Sequence, residues 1–137
     1  MNESLDGIIL AAIAAGGVLG AWLRWTLLRI AARIPVGGRQ GIDPGHATLA
    51  ANLLACGLLG GLVSTPWLAA VPSEAARAAL PAFAITGVCG SLSTFSTLCS
   101  DATGQARRGS RGRAALYLLA HVVGGPLALW SGSLLGR

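Results

Sequence analysis

Apolar residues fill four long stretches of the chain, and the polar positions gather in short clusters between them. The stretches from Gly7 to Leu23, His46 to Val71, Ala78 to Ser100 and Ala114 to Gly136 hold no Asp, Glu, Lys or Arg, and the second is interrupted only by Pro66. About 20 mostly apolar residues carry a helix across a bilayer core. The pattern predicts four transmembrane helices, over about 5–31, 46–71, 78–100 and 114–136. The first extends past Leu23 because Arg24 can reach toward the headgroups. The connectors, near Arg33 to Gly45, Pro72 to Arg77 and Asp101 to Arg113, leave almost no mass outside the bilayer. A single integral membrane domain over 1–137 is expected, and the acidic start (Glu3, Asp6) has no signal-peptide character.

Composition agrees with this and removes other classes. The chain is 53% hydrophobic and 11% charged, with a mean hydropathy of +0.66, which argues against a soluble fold. Its 20 glycines are scattered through Leu- and Ala-rich runs, the use that close helix packing in lipid makes of them. The pairs Gly16/Gly20, Gly57/Gly61 and Gly132/Gly136 are expected at helix contacts. Cys56, Cys89 and Cys99 sit in apolar segments without a CxxC or Cys/His cluster, so they are read as small packing residues. All ten basic residues are Arg. Arg29, Arg33 and Arg39 near the first loop and Arg107, Arg108, Arg111 and Arg113 in the third face only Arg77 and Arg137 on the other side. The positive-inside rule then predicts a multi-pass plasma-membrane protein with loops one and three cytoplasmic and both termini outside. The net charge of +5 reflects topology, not nucleic-acid binding.

No Asp or Glu falls within the four charge-free stretches, so the carboxylate of a proton-coupled exporter is missing. His46 and His121 have no carboxylate pair, nucleophile elbow or metal-ligand spacing around them, so no enzyme is expected. Span three is unusual: Gly87 to Leu98 contains two glycines and five hydroxyl residues. Two readings stay open, an unwinding near Gly90 to Thr94 or close packing by small residues. Freed carbonyls would need protein, a watery cavity or an ion. Ser93, Ser96, Thr97 and Ser100 have the spacing of one helical stripe. Asn52 is either a helix-helix hydrogen bond or a donor to an anion, and Arg24 either an interfacial anchor or a positive charge at a vestibule. Tyr117 and His121, one turn apart, form a polar track or are interfacial.

Three segments together resemble the CrcB/Fluc family of fluoride channels: Gly16-Gly-Val-Leu-Gly-Ala-Trp-Leu-Arg24, Ala47-Thr-Leu-Ala-Ala-Asn-Leu-Leu-Ala-Cys-Gly57, and Gly87 to Leu98. The resemblance implies an all-α membrane protein whose third helix is broken near its middle. It also implies an antiparallel dual-topology dimer with fluoride pathways along the subunit interface, and a structural sodium ion on the backbone carbonyls of Gly90 and Ser93. Phe95 matches the first pathway phenylalanine of the family. Asn52, the hydroxyls of Ser96 and Thr97, and Tyr117 would continue the fluoride pathway, with Arg24 at its vestibule. The expected activity is passive export of fluoride, giving fluoride resistance. Two positions depart from the family: Leu98 replaces a second phenylalanine, and His121 stands where a hydroxyl residue is frequent. An antiparallel homodimer needs balanced arginines, so the asymmetry favours a heterodimer with a homologous subunit. The alternative is a non-conducting partner subunit of such a channel.

Overall fold

The computed structural model describes residues 3–35 and 42–137. Arg39, counted above on the first loop, lies outside them. Helix α1 (Glu3–Ala31) is continuous through Arg24. Helix α2 (Pro44–Ser64) opens on Asp43, whose carboxylate accepts the Gly45 N–H at 2.9 Å, with Pro44 in the first turn where a missing N–H costs nothing. It stops at Ser64 and not at the expected Val71. Pro66 disfavours helical backbone at the residue before it, and Thr65 is extended (φ −84, ψ 132). Trp67–Ala70 follows as a 3₁₀ turn.

The third span is assembled from pieces. Helix α3 (Glu74–Pro81) starts on the cap Ser73, earlier than the sequence pattern suggests. Pro81 contributes no N–H, and beyond it the helix widens into a π-helical segment, Ala82–Cys89, then a single turn, α4 (Gly90–Leu92). Ser93 (φ −78, ψ 157) and Thr94 (φ −152, ψ 121) are extended, and α5 (Phe95–Arg107) begins after them. Helix α6 (Arg111–Leu135) follows a turn through Gly109, whose φ of 79 suits glycine. Four helical stretches, Ser4–Ala31, Pro44–Ser64, Glu74–Arg107 and Arg111–Leu135, are long and apolar enough to cross a membrane. The described residues are helical with no strand.

Packing pairs α1 with the third span and α2 with α6. A Cβ on Gly16 would strike the Phe83 carbonyl and lie 3.0 Å from the Gly87 Cα. One on Gly20 would strike the Val88 carbonyl. Lipid supplies no hydrophobic drive between helices, so such backbone approach is how they gain van der Waals contact. Between α2 and α6 with its C-terminal cap, the residues without room are Gly60, against the Leu129 carbonyl, Gly132, against Gly57, and Gly136, whose Cβ would lie 2.7 Å from the Gly61 carbonyl oxygen. The expected Gly57/Gly61 pair is at this contact through its carbonyls, while its own Cβ positions are clear: 3.7 Å from Ala128 O and 3.6 Å from Gly132 O. The buried core is correspondingly thin, mostly alanine, with Leu92 the only large side chain fully enclosed among the described residues. Leu10, Val18, Trp22, Val63, Leu116 and Leu135 point outward, toward lipid or another chain.

Candidate ion-pathway site

The break in span three is best understood by following its backbone polar groups. Gly90 N–H reaches back five residues to Ile85 O, and Ser93 N–H still bonds Cys89 O at 3.1 Å. Thr94 then leaves the ladder. Its N–H donates to Asn52 Oδ1 at 2.8 Å, and Asn52 Nδ2 donates to Thr94 O at 3.2 Å. One side chain from α2 thus replaces both backbone partners that Thr94 loses. The Thr94 hydroxyl accepts the Thr97 N–H (3.3 Å), donates to the Thr97 hydroxyl (3.1 Å), and lies 3.3 Å from Ser96 Oγ, capping α5.

Among the described residues, no backbone N–H donates to the carbonyls of Gly90, Ser91, Leu92 or Ser93. Gly90 O accepts the Ser93 hydroxyl at a long 3.4 Å, and Ser93 O accepts from Arg24 Nη1 at 3.5 Å. The opening is therefore narrower than the expected stretch, because Gly90 keeps a helical turn and only Ser93 and Thr94 unwind. The hydroxyl stripe is corrected as well. Ser93 precedes the helix that starts at Phe95, leaving Ser96 and Ser100 exposed on α5 and Thr97 half-buried. Arg24 turns toward the break, not toward the headgroups, and is half-buried there.

Beside the break runs a groove of about 410 Å³ between α2, α5 and α6, where Asn52, Thr94, Phe95, Leu98, Cys99 and His121 line the wall. Phe95 is 79% exposed and Leu98 only 8%. Ser96 and Thr97 stay at the head of α5, outside the groove lining. Tyr117 lies one turn from His121, and their rings meet edge to face at 4.5 Å. It opens instead on a cleft at the loop end of the helices, with Asp43, His46, Gln105 and Arg113. The Tyr117–His121 pair connects the cleft to the groove.

One polar residue escaped the sequence reading. With span three ending at Ser100, Asp101 belonged to a loop; α5 continues to Arg107 and brings Asp101, half-buried, against the Tyr117 hydroxyl, which donates to Oδ2 at 3.2 Å. The available signal was the lack of any proline between Ser100 and Arg107, with Gly104 the single weak helix former there and lying beyond Asp101. The premise that no carboxylate belongs to the membrane helices fails here, as it does at the helix ends with Asp6 and Glu74.

The donor set at the break suits a hard cation. Gly90 and Ser93 offer carbonyl oxygens without backbone donors, at the negative end of α4 and the π-helical segment. The two expected oxygens of one chain are fewer than a cation shell needs, and the Arg24 guanidinium already borders that of Ser93.

Membrane-crossing helices, one of them interrupted in mid-span and satisfied by a polar side chain of its neighbour, define a multi-pass membrane protein of the kind that exposes backbone along an ion or solute route. The family described as CrcB-like protein, Camphor Resistance (CrcB), matches residues 11–133. The chain is 37% identical over 124 residues to the fluoride-specific ion channel FluC of Aromatoleum aromaticum, covering 88% of this chain and 85% of that protein. It is 39% identical over 129 residues to a protein of the same name from Stutzerimonas stutzeri, covering 92% and 94%. A relative from Thermobifida fusca, named fluoride-specific ion channel FluC 2, is 35% identical over 121 residues, covering 88% and 82%. The chain belongs to the CrcB family.

Proposed function

We propose that this chain is a subunit of a fluoride channel that lets cytoplasmic fluoride leave passively. The observation that carries the reading is the discontinuous third helix, closed by Asn52 and followed at once by Phe95, in a chain whose relatives bear that name. Passive exit suits the energetics, since a negative-inside potential of 100 mV contributes about 2.3 kcal/mol per charge. The anion would enter at the Tyr117 cleft, pass His121 and meet the remaining Nδ2 hydrogen of Asn52, with the hydroxyls of Ser96 and Thr97 close by. The Phe95 ring edge, which carries partial positive charge, faces a dehydrated anion favourably. Arg24 holds positive charge near the break. Fixed donors along a narrow route replace the hydration shell of a small halide.

A dimer is supported by what the lone chain leaves uncovered: Phe95 and Gly90 are exposed in mid-span. In such a dimer the carbonyls of Gly90 and Ser93 from two chains would hold a sodium ion, which supplies positive charge at the centre. The arginine asymmetry, with loops one and three cytoplasmic, favours a homologous partner of opposite orientation. A second reading, a non-conducting partner subunit, is favoured by buried Leu98, where the family places a ring.

The test is fluoride efflux from vesicles, read by electrode, with the chain alone and co-expressed with a homologous subunit. Efflux that falls about tenfold or more, a barrier change of about 1.4 kcal/mol, in Phe95→Ala supports the channel reading. Efflux indifferent to both Phe95→Ala and Asn52→Ala supports the scaffolding role, and no efflux in any combination overturns both. A thermal midpoint that rises on adding sodium, and not a large organic cation, supports the carbonyl site.

A further inference from the structure

Helix α2 carries two faces. Asn52, Leu53 and Cys56 turn toward the groove that holds Phe95, whereas Ala47, Ala50, Ala51 and Leu54 recur at the spacing of a helical stripe on its opposite side. With Ile30 of α1 and Ile34 just beyond it, that stripe lines a second groove of about 400 Å³ at the loop-one end of the two helices. Ala47 and Ala51 are buried there, Ala50 is open, and Ile30, Ile34 and Leu54 stand exposed beside them. The Ile42 N–H, bonded to Ala31 O at 2.9 Å, ties the returning chain across the same end. Of the residues that line this groove, His46 alone is polar.

Positive charge gathers at its mouth. Arg29 and Arg33 lie one turn apart and exposed at the end of α1, and among the described residues neither forms an ion pair. Arg29 lies over the exposed Trp25 ring at 4.7 Å, an arrangement suited to the headgroup level of a bilayer. The carboxylate nearest to them in sequence, Asp43, accepts the Gly45 N–H at 2.9 Å and lies 4.0 Å from His46 Nδ1. An apolar slot between two membrane helices, opening beside free guanidinium groups, matches a molecule with an acyl chain and an anionic head.

We propose that this groove binds an anionic glycerophospholipid, with one acyl chain along the alanine stripe and the phosphate on Arg29 and Arg33. The inference rests on the membrane-spanning helices and not on the channel reading. Guanidinium groups hold phosphate oxygens through charge-assisted bonds, which distinguishes this lipid from one with a zwitterionic head. A second copy of the chain is the poorer fit, because the exposed Phe95 ring marks the other side of α2 as the face left for a partner. The lipid joins α1, which brings Arg24 and two close-packed glycines to span three, to α2, which brings Asn52. It therefore steadies the two helices that hold the break.

The experiment titrates the full chain in detergent with phosphatidylglycerol, or with phosphatidylcholine of the same acyl chains, and counts bound lipid by native mass spectrometry. Two arginines at a headgroup correspond to about 30-fold tighter retention of phosphatidylglycerol. The double variant Arg29→Gln, Arg33→Gln is expected to remove that preference. The charge-matched control Arg107→Gln, Arg111→Gln, at the exposed ends of α5 and α6, is expected to keep it. Ala50→Trp, which fills the open floor of the groove and leaves every charge in place, is expected to bring phosphatidylglycerol retention down to that of phosphatidylcholine or below. If the Trp variant does not fold, the two arginine pairs decide. Equal loss in both pairs, or retention untouched by Ala50→Trp, overturns the proposal. So does an Ala50→Trp chain that changes its oligomeric state without changing lipid retention, which would assign the groove to a second copy. No preference for phosphatidylglycerol overturns the proposal and leaves the channel reading intact, since no efflux is measured.

Discussion

Replacing Asn52 by alanine removes the clamp that makes a broken helix tolerable in mid-span. Two bonds disappear, the Thr94 N–H to Oδ1 at 2.8 Å and the Nδ2 bond to Thr94 O at 3.2 Å. An unsatisfied enclosed polar group costs about 1–3 kcal/mol, so two give about 2–6 kcal/mol. The adjoining groove lets some water relieve the carbonyl, which puts the expected loss near the lower end, about 2–3 kcal/mol. For a chain of this size that corresponds to a fall in thermal midpoint of about 10 °C. Intrinsic tryptophan fluorescence in detergent reports the midpoint, and the same preparation is reconstituted for efflux. Asn52→Asp sharpens the test. A protonated carboxyl can accept the Thr94 N–H and donate to Thr94 O, whereas the ionised form sets an oxygen against an oxygen and a charge in mid-span at about 2.5–3.5 kcal/mol. The folded state therefore favours the protonated form and raises that carboxyl's pKa. Stability should be greatest at low pH and be lost as pH rises through the folded value. An Asn52→Ala protein that melts within about 2 °C of the unmodified chain, well inside the shift expected for 1 kcal/mol, yet conducts nothing would refute the clamp and leave Asn52 acting on the ion alone.

Neighbouring glycines of α2 should behave oppositely. Gly60→Ala, whose Cβ strikes the Leu129 carbonyl, is expected to cost about 1–3 kcal/mol of stability. Gly61→Ala, with 3.6 Å to Gly132 O, should be neutral or gain up to about 1 kcal/mol from helix propensity; equal midpoints for the two variants would contradict the α2–α6 contact. Arg24→Gln keeps a donor for Ser93 O but removes the charge, so efflux should drop at low ionic strength and recover toward the unmodified rate in high salt, since salt screens such fields. A rate difference that ignores salt would exclude an electrostatic role. Tyr117→Phe and Asp101→Ala, combined in a double-mutant cycle of thermal stability, should show a coupling of about 0.5–1.5 kcal/mol through their shared hydrogen bond. A coupling of zero would mean that the bond contributes nothing in the membrane.

Span number and the weak point of span three are legible in the sequence because both are local: charge-free length sets one, and two glycines amid five hydroxyls set the other. Helix ends are less so. Pro66 cuts α2 short, while nothing after Ser100 stops α5 from carrying Asp101 inward. The choice left open for Asn52 is a long-range one, since its partner Thr94 lies 42 residues away and no periodicity in either segment encodes the pairing. That pairing also bears on how the break arises. Asn52 satisfies Thr94 from within one chain, and the close approach of Gly16 and Gly20 to Phe83, Gly87 and Val88 holds α1 against the widened helix just before it. These contacts within one chain satisfy the backbone of Thr94 and seat α1 against the segment before the break. What one chain leaves weakly satisfied are the carbonyls from Gly90 to Ser93 and the exposed Phe95 ring. Because the Asn52–Thr94 pairing lies within one chain, a change at the Gly90–Ser93 carbonyls or at Phe95 is expected to lower conduction without re-forming a continuous third helix.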